Sequence, residues 1–143
     1  MNHFTFWQKW LFIVSLGITA FGLFMALFNQ TPLFETFTRQ IDRAFWGSVS
    51  FPADITSFQS WLYGVWGATI AGWGIFLTFI AYFPFKQRER WAWNCLVVGL
   101  GAWFVLDTGL SWQYGVSFNV VFNIVVALAL GLPLVFSRKA FVK

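Results

Sequence analysis

Charge is scarce in this sequence. Of its 143 residues only nine are lysine or arginine and five aspartate or glutamate, a charged share of 10%, where an average soluble domain carries roughly one quarter. A chain with so few ions is not built to be dissolved by water. Cysteine occurs once, at Cys95, which rules out an intramolecular disulfide and leaves that side chain to be expected as a small buried hydrophobe within the third span. Histidine also occurs once, at His3, ahead of the first apolar run. A haem held by two histidines of this chain is thereby excluded, and the usual His/Cys metal sets have no members to draw on. Gly64, Gly67, Gly72 and Gly74 stand in an apolar run with no Lys-Ser or Lys-Thr after them, so they do not form a phosphate loop. No cofactor and no metal are expected.

What the chain has is apolar length. Hydrophobic residues make up 59% of it and aromatic residues 23%. A bilayer core needs about 20 apolar residues of helix, and four stretches qualify, at about 10–28, 61–83, 91–111 and 116–136. The runs are continuous rather than alternating, so helices rather than barrel strands satisfy the backbone in lipid. The fold expected is all-α: an integral membrane four-helix bundle in one domain over 1–143, with a first outer loop at 29–60. The uncharged run after Lys9 exceeds the usual signal-peptide core of about 7 to 15 residues, and it is read as a retained anchor.

Charge orients the bundle. Lys9, Lys86, Arg88, Arg90, Arg138, Lys139 and Lys143 fall on one side with Glu89 as the acid among them, while Glu35, Arg39, Asp42, Arg43 and Asp54 fall in the first loop. The positive-inside bias predicts a multi-pass protein of the inner, cytoplasmic membrane with both termini cytoplasmic. It also accounts for the net charge of +4 through anionic lipid, without nucleic acid as a partner. Trp7, Trp10, Trp91, Trp93 and Tyr82 mark the cytoplasmic interface, and Trp46, Trp61, Trp112 and Tyr114 the outer one. Trp73 and Trp103 fall near the middle of their spans.

In the first loop, Phe34, Phe37, Ile41 and Phe45 recur at helical spacing between charged residues. This predicts an interfacial amphipathic helix lying on the outer surface, broken by Gly47, Ser48, Ser50 and Pro52. Small residues spaced by four mark helix contacts: Gly22 and Ala26 in the first span, Gly64, Ala68 and Gly72 in the second with Gly67 and Ala71 beside them, and Asn119, Asn123, Ala127 and Gly131 in the fourth.

One residue breaks the apolar pattern. Asp107 stands in a segment free of charge from Trp91 to Leu106 before it and from Thr108 to Ser137 after it, and a carboxylate at membrane depth calls for a cavity, a partner or a proton. At a rise of about 1.5 Å per residue, Asp107 lies roughly 6 Å below Ser111, with Asn119 and Asn123 roughly 5 and 10 Å below Val116. A short connection makes these two spans antiparallel neighbours, so the carboxylate and both carboxamides share a layer, with Thr108 and Ser111 beside them. Tyr63, Trp66 and Thr69 come from the same half, and Tyr63 and Trp66, with Trp103 from nearer the middle, are expected to line the apolar part of a ligand site. Asp107 could accept hydrogen bonds from the two asparagines or reach Arg39 or Arg43 in the overlying loop, which are its candidate ion-pair partners.

Two roles fit this patch. It could hold helices together through interhelical hydrogen bonds, or it could receive a cation, a proton or a polar head. Catalysis has little to stand on, since one carboxylate with no histidine near it does not supply two convergent reactive groups. In size, in four spans and in a single membrane acid, the chain resembles the small multidrug resistance transporters. Their essential carboxylate is on the first helix, and here the first span carries none. The leading expectation is therefore a binding or interaction module that holds a lipid-like or amphipathic ligand, or a partner helix, around Asp107. The alternative is a proton- or cation-coupled transporter or channel acting as a homodimer. Expected partners are membrane lipids and a second copy or a larger membrane complex.

Overall fold

The computed structural model describes residues 3–47 and 53–142; Lys143 and the expected break at Ser48, Ser50 and Pro52 lie outside them. Five α-helices form: α1 (His3–Phe28), α2 (Pro32–Trp46), α3 (Ala53–Tyr82), α4 (Arg90–Gln113) and α5 (Ser117–Ser137), followed by a 3₁₀ turn at Arg138–Ala140. There is no strand among the described residues. The helices α1, α3, α4 and α5 are long and apolar enough to cross a membrane, which marks the chain as a membrane protein.

Local chemistry sets the ends of the short helix. Pro32 opens α2 at its first position, where the missing N–H costs nothing. Gly47 closes it at φ 64°, its N–H bonded to the Arg43 carbonyl, in the left-handed conformation that glycine adopts without steric penalty. The α4–α5 connection turns at Gly115, φ 72°, and the Val116 N–H returns to the Ser111 carbonyl at 2.8 Å.

The spanning helices pack in the lateral order α3, α1, α5, α4. The α1–α3 seam is the closest, and glycine makes it so: a Cβ on Gly22 would strike the Ala71 backbone, one on Gly67 the Ala26 backbone, and one on Gly74 the Thr19 backbone. The contacting row on α3 is therefore Gly67, Ala71 and Gly74. Gly72, from the row expected to pack, has open space where its Cβ would be. On α5 the row Asn119, Asn123 and Gly131 faces α4, with Leu100 beside Gly131.

At one end, Leu11, Leu77, Ala81, Phe85, Leu96, Leu130, Leu134 and Phe141 form the larger core. Both termini lie at this end, where Phe4 meets Phe141 at 5.9 Å. Here polar side chains close open helix carbonyls. Pro133 has no N–H to give Ala129, and the Trp10 indole N–H donates to that carbonyl at 2.9 Å. The Phe85 N–H has moved to Ile80, and Gln8 donates to the carbonyl of Ala81 at 3.0 Å. Trp93 donates to Leu134 at 2.9 Å, where the Arg138 N–H has turned to Val135.

At the other end α2 lies across the bundle on its aromatic side. Phe34 meets Tyr63 of α3 at 5.5 Å, Phe37 meets Phe118 of α5 at 5.3 Å, and Phe45 meets Tyr114 at 5.9 Å. Helix α4 is the outlier: only Ala92, Leu96 and Ser111 of it are buried, and the Trp73–Trp103 pair, 5.5 Å between rings, ties it to α3.

Candidate functional site

Asp107 lies in the last two turns of α4, on the side that meets α5, because the three-residue connection folds α5 back antiparallel. Asn119 and Asn123, one turn apart on α5, face it. The Asn119 amide donates to Oδ1 of Asp107 at 2.7 Å and to the Ser111 hydroxyl at 2.7 Å. The Asn123 amide donates to the same Oδ1 at 2.8 Å and to the Thr108 hydroxyl at 3.3 Å. Ser111 carries one hydroxyl proton, placed 2.7 Å from the Asp107 carbonyl and 3.2 Å from Oδ1.

The five polar side chains thus form one cluster, and its bonding is lopsided. Every hydrogen bond to the carboxylate reaches Oδ1; among the described residues Oδ2 receives none. Asn123 is 1% exposed, whereas Asp107, Thr108 and Asn119 are half-buried. Amide bonds to an ionisable acceptor are among the stronger hydrogen bonds, so they lock the χ angles of Asp107 and leave the second oxygen as an oriented acceptor. Such a group suits a donor-bearing partner, whether an ammonium, a hydroxyl or a cation.

The remaining expected residues sit elsewhere. Trp103 is one turn before Asp107 on the same side of α4 and packs against Trp73 with the rings tilted by 37°. Tyr63 and Trp66 touch each other, 6.0 Å between rings, and Tyr63 is occupied by Phe34; neither bonds to the Asp107 cluster. The ion-pair expectation is corrected. Arg39 bonds Glu35 on its own helix at 2.7 Å, and Arg43 is exposed, because α2 docks through its aromatic side and turns both guanidinium groups away from the bundle. Neither reaches Asp107 among the described residues.

Two polar groupings went unread in the sequence. Asp42 is 5% exposed and accepts from the Gln59 amide at 2.6 Å. Its signal was available, since Asp42 falls at i+8 from Phe34 and so on the buried side of α2. Where the α1–α2 connection meets α3, the Ser60 hydroxyl donates to Asn29 at 2.7 Å and accepts from Gln30 at 2.8 Å. Asn29 also donates to the carbonyls of Met25 and Ser60.

No family model, curated protein or solved structure matches this chain.

Proposed function

We propose that this chain is a multi-pass inner-membrane binding module, with both termini cytoplasmic and α2 lying flat on the outer face, that holds the head of an amphipathic, lipid-like ligand or a partner helix at Asp107. The observation that carries the reading is the half-used carboxylate. A purely structural acid between two helices is best served by bonds to both oxygens. Here two amides converge on Oδ1, with the Ser111 hydroxyl shared between it and the Asp107 carbonyl, while among the described residues Oδ2 receives no hydrogen bond. A head with an ammonium or hydroxyl proton completes it. Basic residues at the terminal end, Lys9, Lys86, Arg88, Arg90, Arg138 and Lys139, support the orientation.

The alternative, a coupled homodimeric transporter, has less behind it. A path from Asp107 towards the terminal end meets the Trp73–Trp103 pair and then the apolar core around Leu96 and Leu130. The hydroxyls of Thr69 and Thr78, which such a path would need, donate to carbonyls of their own helix.

Mass spectrometry of the protein purified in mild detergent tests the proposal. The wild type is expected to retain an amphiphile with a donor-bearing head, and folded Asp107→Asn and Asn123→Phe variants to lose it. A wild type that carries the same molecules as both variants contradicts it.

A further inference from the structure

A second site stands apart from Asp107, on the outer side of the α1–α3 seam. The seam opens there into a lateral groove of about 800 Å³, within the range of roughly 300–1,000 Å³ typical of small-molecule sites. Its apolar side chains are Ala26, Leu27, Phe28, Val65 and Ala68, its polar ones Asn29, Gln30, Thr31, Ser57 and Ser60, and among the described residues no charged side chain lines it. On α3 the polar Ser57 and Ser60 precede Val65 and Ala68 by about one to three turns, and on the α1 side the polar Asn29, Gln30 and Thr31 follow Ala26 and Leu27 just past the helix end. The groove thus changes character along the direction in which a lipid does. Trp61, 62% exposed at its rim, is placed where an amphipathic ring favours the headgroup level.

The hydrogen-bond inventory limits which head fits. Asn29 is consumed by Met25 and Ser60, and the lock it forms with Ser60 holds the two helix ends together. Gln30 gives one amide proton to Ser60 and keeps its second proton and its carbonyl oxygen. Thr31 donates to the Phe28 carbonyl and keeps its acceptor lone pairs. The Ser57 hydroxyl has no partner among the described residues. What remains is a set of neutral donors and acceptors in near balance. An uncompensated phosphate would find no cation there, and an ammonium no carboxylate.

We infer that this groove binds a single lipid whose headgroup is uncharged and hydroxyl-bearing, its chain laid along Ala26, Val65 and Ala68 and its hydroxyls exchanging hydrogen bonds with Gln30, Thr31 and Ser57. The site does not depend on Asp107, which lies on the α4–α5 pair.

Native mass spectrometry tests it, with the protein released from nanodiscs made of equal parts monoglucosyl diacylglycerol, phosphatidylethanolamine and phosphatidylglycerol. Two net hydrogen bonds predict the glycolipid enriched about tenfold over phosphatidylglycerol among retained adducts. Ala68→Phe, which fills the groove from an exposed position on α3 without entering the α1 contact, removes the enrichment. The Gln30→Ala/Ser57→Ala double variant, whose changes lie at the exposed ends of the helices, lowers it towards parity while leaving the chain channel open. Adducts that mirror the nanodisc composition, a preference for either charged lipid, or enrichment that survives in whichever of these variants folds overturns the inference.

Discussion

At the residue scale the cluster around Asp107 follows from elementary geometry. A rise of about 1.5 Å per residue and a tight connection between antiparallel helices put residues equidistant from the turn at one depth, so 107 on α4 and 119 and 123 on α5 could be paired from the sequence. The partner assigned to Arg39 could not be read as safely, because Glu35 is one turn away on the same helix face and an i,i+4 pair forms without any tertiary approach. The burial of Asp42 was legible from its helical position, but its partner was not. Its pairing with Gln59 depends on how α2 docks on α3, which the periodicity of α2 alone does not specify. Asn123 is the most buried member of the Asp107 cluster and gives its amide to the carboxylate. Asn123→Ala is therefore expected to destabilise the protein by about 1–2 kcal/mol. In a double-mutant cycle with Asp107→Asn it should couple by at least about 0.5 kcal/mol. Equilibrium unfolding in mixed micelles measures both, and strict additivity would contradict the geometry.

At the element scale the apolar runs located the four long helices and most of their ends to within two residues, but not where α1 and α3 begin. The expected spans start at about 10 and 61, while α1 and α3 start at His3 and Ala53, because backbone bonding continues through polar residues that apolarity cannot flag. Likewise, of the four-spaced row Gly64, Ala68 and Gly72 only Gly64 stands against α1, where a Cβ would meet the Ala26 carbonyl at 3.7 Å, while Ala68 is exposed and Gly72 faces open space. The choice of Gly67, Ala71 and Gly74 reflects the rotation of α3 about its axis, which spacing leaves open. A proline within α5 is legible, yet the donor that compensates for it is not. Trp10 was assigned to the membrane interface as an aromatic anchor, whereas its indole N–H closes the carbonyl that Pro133 leaves open. Trp10→Phe is accordingly expected to cost about 1 kcal/mol in the wild type and markedly less in a Pro133→Ala background, where the restored N–H of residue 133 serves Ala129. Equal costs in the two backgrounds, read by thermal unfolding in detergent, would refute this account of the α5 end.

At the scale of the whole molecule, an even number of long helices and the meeting of Phe4, Phe85 and Phe141 place both termini at one end, and α2 covers the other. The proposed orientation makes the α2 end the outer one. In a Cys95→Ser background, Arg39→Cys should react with a membrane-impermeant maleimide on intact cells, and Lys139→Cys only after permeabilisation. Both positions are exposed, so burial does not confound the comparison, and the reverse pattern would invert the topology. Peripheral α4, joined to the bundle mainly by α5 and by Trp73–Trp103, carries half-buried Asp107 away from the tight α1–α3 pair, as the proposed access of a ligand requires. The lateral order of helices that creates this access was not readable from the sequence, since all four spans are similarly apolar.

The central claim is that Oδ2 of Asp107 is an acceptor kept open for a ligand's head. It is tested most directly by titrating the purified protein in detergent with a fluorescent long-chain alkylammonium and comparing wild type with folded Asp107→Asn. The account predicts a saturable site whose Kd rises about tenfold on removal of the carboxylate. Equal affinity for the two proteins, or no saturable binding to the wild type, would contradict it.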